Sequence, residues 1–159
     1  MEYLIRKGEK QDIPALLSLI KELALFEKAP NEVVVTIQDL EQDGFSKNAV
    51  FTFFVAETVE KQIVGIALYY IKYSTWKGKC IFLEDIIVKE SFRKFGIGKK
   101  LFLEVVKVAK AIKVKRMEWQ VLNWNESAIA FYKKLNAQFD DEWINCKLTE
   151  EEINNFFSN

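Results

Sequence analysis

Apolar residues change their spacing from one part of this chain to the next, and the changes outline its elements. Residues 3–8, YLIRKG, read as a short first strand. Ile13, Leu16, Leu17, Ile20, Leu23 and Ala24 then recur on one helical face, with Asp12 as N-cap and Pro14 in the tolerant first turn. Pro30-Asn31 breaks that helix. A shorter one opens at Thr36-Ile37-Gln38-Asp39 in a capping-box-like pattern and ends at Gly44. Residues 50–57 and 62–73 are rich in β-branched and aromatic side chains, and the short polar link 58–61 makes them an antiparallel hairpin. After the loop STWKGK comes a third such run, 80–88. Leu101, Phe102, Val105, Val108, Ala109 and Ile112 form one stripe of a helix. Residues 116–122 return as a strand, 125–135 as a helix capped by Asn125, and 138–148 as a last strand before an acidic, Asn-rich tail that frays.

This order predicts a single α+β domain over residues 1–159, with a mixed, mostly antiparallel central sheet flanked by helices in three layers. The passage from Cys80 to Leu122 requires a right-handed crossover between parallel strands, and ligands favour the carboxyl ends of such strands.

Composition narrows the chemistry. Half of the 159 residues are hydrophobic, which argues for a folded globule, and 23 basic residues balance 23 acidic ones, so no global field favours nucleic acid. The lysines from Arg93 to Arg116 read as the solvated face of a helix. No apolar run approaches the roughly 20 residues that span a bilayer, and no signal peptide opens the chain, so a cytoplasmic, membrane-free protein is expected. Cys80 and Cys146 are too few for a disulfide scaffold, although a single bridge stays open. There is no histidine. His-based nucleophilic catalysis, His-ligated zinc and His acid–base work are excluded, and no metal is expected. Proton transfer falls to a carboxylate, a tyrosine, a lysine, a cysteine or water.

Two stretches can carry such chemistry. In SFRKFGIGKKLF, Arg93-x-x-Gly96-x-Gly98 stands between a strand and a helix, with Lys94 and Lys99 nearby. Glycines and free helix-start N–H groups suit an anion, most often a phosphate. The P-loop pattern fails because no hydroxyl follows Gly98-Lys99, and the dinucleotide pattern fails because Leu101 replaces its third glycine. Glu84 and Asp85 interrupt the apolar run 81–88. Neighbours on a strand point to opposite faces, so at least one carboxylate is directed inward, where burial raises its pKa toward that of a general base. Tyr132 shares a helical face with Ala128 and Ile129, a spacing that by itself fits core packing.

Together with the glycine turn, the stretches LIKELALFE, DLEQDGF, LEDIIV and WNESAIAFYKKLNA resemble the GNAT superfamily of acyl-CoA-dependent N-acetyltransferases, and within it the spermidine/spermine (diamine) branch. The resemblance covers nearly the whole chain. It implies acetyl-CoA as co-substrate, held by Arg93, Lys94, Phe95, Gly96, Ile97, Gly98 and Lys99, by the backbone of Ile86, Ile87 and Val88, and by Asn125 and Tyr132. It implies Glu84 as base with Asp85 as alternate, and Tyr132 as the acid that protonates the leaving thiolate. Phe26, Glu27, Trp76, Glu84, Asp141, Glu142 and Trp143 match substrate-side positions. Ser74 stands where polyamine enzymes carry an aspartate, and Leu25-Phe26 where they carry Lys-Tyr. A homodimer is implied too. The expected activity is transfer of an acetyl group to a primary amine of a small molecule, a diamine, polyamine or lysine analogue such as thialysine. A protein or amino-acid acetyltransferase, or a non-catalytic acyl-CoA-binding module, would suit the same turn.

Overall fold

The computed structural model describes residues 1–157, and the chain divides into two compact units, Met1–Gln120 and Val121–Asn159. The first is built on a five-stranded sheet in sequential order, β1 (Tyr3–Lys7), β2 (Thr52–Thr58), β3 (Ile63–Ser74), β4 (Gly78–Val88) and β5 (Met117–Glu118). The first four are antiparallel, and β5 pairs in parallel with β4, as a strand–helix–strand passage requires. Of the strand expected over 116–122, only two residues enter the ladder.

Helices α1 (Ile13–Phe26) and α2 (Ile37–Phe45) cover one face. Ile13, Leu16, Leu19 and Leu40 pack there on Phe53, Val55, Ile66, Leu68 and Ile87. Each of these side chains stabilises the fold by about 1.5–3 kcal/mol when fully buried. Helix α3 (Ile97–Ala111) buries Ile97, Leu101, Phe102 and Val105. It comes close to β3 because position 65 is glycine: an added Cβ would stand 3.2 Å from Leu101 Cδ1 and 2.9 Å from the Ile87 carbonyl.

Local chemistry explains the ends of the helices. Thr36 Oγ1 accepts the Asp39 N–H at 3.2 Å while the Asp39 carboxylate accepts the Thr36 N–H at 2.8 Å, the expected capping box of α2. Asp12 precedes α1 but its carboxylate does not cap it. It accepts from Arg6 at 2.6 and 2.9 Å and from the Glu9 N–H at 2.8 Å, and Arg6 also pairs with Glu57. Asp12 and Glu57 are both buried, and Arg6 is what offsets that burial.

The second unit contains α4 (Glu126–Lys134), whose N-terminus is capped by Asn125, and α5 (Glu150–Asn154). The strand expected over 138–148 does not form. Asp140 Oδ1 accepts the Glu142 N–H at 3.2 Å and turns the backbone, while every residue from 138 to 148 is exposed, so the run has neither a ladder partner nor a buried face. The tail does not simply fray. Thr149 and Glu152 make a reciprocal capping box that starts α5.

Candidate active site

The two carboxylates of β4 lie at a β-bulge. Leu68 stands opposite Asp85 and Tyr70 opposite Phe82, and the register shifts between Leu68 and Tyr69, leaving Glu84 without a cross-strand partner. Paired residues share a face. Leu68 and Tyr70, two positions apart, both look toward α1, so Phe82 and Asp85 do as well, although three positions separate them. Glu84, two beyond Phe82, falls on that face too. The expectation that strand alternation would separate the pair is therefore corrected: the extra residue turns Glu84 and Asp85 to one side of the sheet.

Their environments differ. Glu84 is exposed and Asp85 half-buried. Burial, then the charges of Glu84 and Glu27, push the Asp85 carboxyl up to about 6. Glu27 caps the C-terminus of α1, and burial raises its carboxyl as well. Tyr70 joins the cluster. Burial, the Glu84 charge and a hydrogen bond to Glu84 push its phenol up to about 12, so it stays protonated and donates to the carboxylate. Sequence reasoning missed Tyr70, because inside the run QIVGIALYYIKY nothing separates a tyrosine that packs from one that orients an acid.

The glycine stretch forms a turn pinned from both sides. Lys94 and Gly96 adopt left-handed backbone, with φ of 69° and 79°. Gly96 is the N-cap of α3 and no side chain caps that helix, so the first-turn N–H groups face outward beside Lys94 and Lys99. Tyr3 donates its hydroxyl to the Phe95 carbonyl at 3.1 Å, and Arg93 Nε donates to the Val88 carbonyl at 3.0 Å while its guanidinium lies over the Phe26 ring. Beyond Phe82 no strand among the described residues pairs with the β5 side of β4, so the backbone of Ile86, Ile87 and Val88, which leads to this turn, lies outside any ladder on that side. An uncapped helix start and a left-handed glycine beside two lysines fit an anionic, phosphate-bearing ligand.

Of the other expected residues in this unit, Phe26 ends α1, while Trp76 lies exposed in the β3–β4 turn, where Ser74 Oγ accepts the N–H groups of Trp76 and Lys77. Asn125, Tyr132, Asp141, Glu142 and Trp143 belong to the second unit. There Asn125 caps α4 through the Ala128 N–H, Tyr132 is buried, and Asp141, Glu142 and Trp143 are exposed. No group of histidine, cysteine and carboxylate side chains suited to a metal is found among the described residues.

The sequence matches the acetyltransferase (GNAT) family over residues 14–137. It is 40% identical over 142 residues to a thialysine N-epsilon-acetyltransferase of Bos taurus, covering 85% of this chain and 84% of that protein. It is 32% identical over 163 residues to a spermidine/spermine N(1)-acetyltransferase-like protein of Homo sapiens, covering 96% of this chain and 24% of that one. Among solved structures, an integron cassette protein from the mobile metagenome of V. cholerae superposes with a TM-score of 0.79 at 22% identity, covering 100% and 99% of the two chains. An aminoglycoside acetyltransferase from a soil metagenomic sample, in complex with sisomicin, gives 0.75 at 19% identity, covering 92% and 95%. These two establish the fold.

Proposed function

This chain belongs to the acetyltransferase (GNAT) family, and from that premise we propose how its residues divide the work. The protein is an acetyl-CoA-dependent N-acetyltransferase that acts on the amine of a small molecule, a diamine, polyamine or lysine analogue. Its likeness to thialysine and spermidine/spermine acetyltransferases supports that substrate class. The observation that carries the reading is the bulge that turns Glu84 and Asp85 to one face, with Glu27 beside them.

An ammonium has no free lone pair at neutral pH, so it must lose a proton before it can react. Glu84, exposed and oriented by Tyr70, takes that proton directly or through water. Asp85, raised to about 6, is the alternate base, since a general base works best with a pKa near the working pH. Acetyl-CoA supplies the activated acyl group. Residues 93–99 hold its phosphates, with Lys94 and Lys99 adding charge, and the N–H groups around Ile86, Ile87 and Val88 steady the carbonyl oxygen. Tyr132 returns a proton to the leaving sulfur and Asn125 contacts the coenzyme, roles carried over from the WNESAIAFYKKLNA match. Phe26, Glu27, Trp76, Asp141, Glu142 and Trp143 serve the amine side on the same ground. The whole chain acts as one catalytic domain, cytoplasmic and homodimeric, with no nucleic-acid or membrane partner and no metal. The balanced charge and the family resemblance support this.

Thiol release from acetyl-CoA, followed with spermidine, putrescine, thialysine and lysine, tests the reading. Turnover of at least one is expected. Coenzyme binding with no turnover on any amine would leave a non-catalytic module.

A further inference from the structure

The face that holds the carboxylates continues along the β3–β4 hairpin and changes sign. Tyr70, Lys72 and Ser74 alternate onto it from β3, and Phe82 and Cys80 stand opposite the first two. Glu118 of β5 pairs with Phe82 and so shares the face, and Arg116, two residues earlier, projects with it. Tyr70 and Phe82 stack at 5.4 Å. Past that stack Lys72 Nζ leans 5.2 Å over the Phe82 ring and lies 3.5 Å from Glu118 Oε2, while Arg116 Nε lies 3.3 Å from the same oxygen. Two cations thus converge on one acid, for a net charge of +1. Their pairing is incomplete: Arg116 Nε and Glu118 Oε2 are buried and neither has a hydrogen-bond partner.

One strip of sheet therefore carries Glu84 and Asp85 at one end, with Glu27 of α1 beside them, an aromatic stack in the middle and Lys72 with Arg116 at the other. The backbones of Glu84 and Lys72 are separated by roughly four strand positions, about 13 Å. Lys72 shortens that span by leaning its ammonium onto Phe82, on the side of the carboxylates. A long polycation laid along this strip would meet a fixed positive charge where it needs a negative one. A molecule with an amine at one end and a carboxylate at the other would match both ends.

Resting on the acetyltransferase reading above, we infer that Lys72 and Arg116 recognise the carboxylate of the substrate, which is an amino acid with a side-chain amine. Glu118 orients the two cations, and the Tyr70–Phe82 stack lines the aliphatic spacer.

L-Lysine and cadaverine differ only in the carboxylate, so thiol release measured with both, in wild type, Lys72→Gln, Arg116→Gln and Lys72→Arg, isolates this contact. Wild type should favour lysine in kcat/KM. Lys72→Gln should cut the lysine-to-cadaverine ratio by roughly tenfold or more, mostly through the KM for lysine, as expected for loss of a charge-assisted hydrogen bond. Arg116→Gln should lower it in the same direction, and Lys72→Arg should restore it, which separates lost charge from lost structure. Turnover of both amines with a ratio unchanged by Lys72→Gln overturns the inference alone. Turnover of neither, where spermidine or putrescine is acetylated, also overturns the inference alone, whereas thiol release with none of these amines overturns the acetyltransferase reading and this one with it.

Discussion

Asp85 is a carboxyl whose position in the fold works against its own ionisation. In the unfolded chain it titrates near 3.8, and in the fold, with burial first and then Glu84 and Glu27 opposing its charge, at about 6. The folded state holds the proton more tightly than the unfolded one. The stability this group contributes is therefore complete below its unfolded pKa and is lost as pH rises through about 6. Asp85→Asn keeps the shape and removes the charge. It should stabilise the protein at about pH 7.5 by up to about 3 kcal/mol, the value of a two-unit shift, and make little difference near pH 4. Urea unfolding at the two pH values checks this, and equal effects at both would show that Asp85 ionises freely. The proposed alternate base is thus a group the fold would be more stable without.

At the scale of the strand, the bulge makes an unusual deletion tolerable. Without Glu84 the ladder would run from Tyr69–Leu83 straight to Leu68–Asp85 in regular alternation, with Asp85 still facing α1. Deletion of Glu84 should then leave a folded sheet, with near-wild-type circular dichroism and cooperative melting, while turnover falls by about 10²-fold or more, the usual worth of an acid–base group. Loss of folding would mean that the extra residue is needed for the ladder itself. This part of the fold was also the least legible. In LEDIIV no glycine or proline marks the bulge, so the sequence alone implies plain alternation where the register in fact slips. The helices and long strands were legible because Ile13, Leu16, Val55, Ile66 and Leu101 keep strict period over many residues. The apolar residues of QFDDEWINCKL suggest a strand that does not form, because a strand needs a partner that no local pattern reveals. The turn over residues 93–98 is readable in outline from its glycines. Its left-handed Lys94 and its tether to Tyr3, ninety-odd residues away in sequence, depend on the tertiary fold.

For the molecule as a whole, the expected homodimer predicts a scattering mass near twice the 18.6 kDa of one chain at micromolar concentration. A monomer mass there would remove the dimer from the proposal and leave the carboxylate site untouched. The hairpin has its own bearing on how the whole molecule responds to a ligand. Strand β2 stops pairing at Thr52–Tyr69, and β5 pairs with β4 only at Ile81 and Phe82, so Lys72 to Ser74 and their partners from Cys80 back to Gly78 form a two-stranded ribbon. Ribbons of two strands are marginal in water, and their amides open to solvent exchange at lower free energy than those of a sheet interior. Lys72 belongs to this ribbon. A ligand held there must first quieten it, so part of the attraction between the ends goes into order rather than affinity, and capture and stiffening become one event.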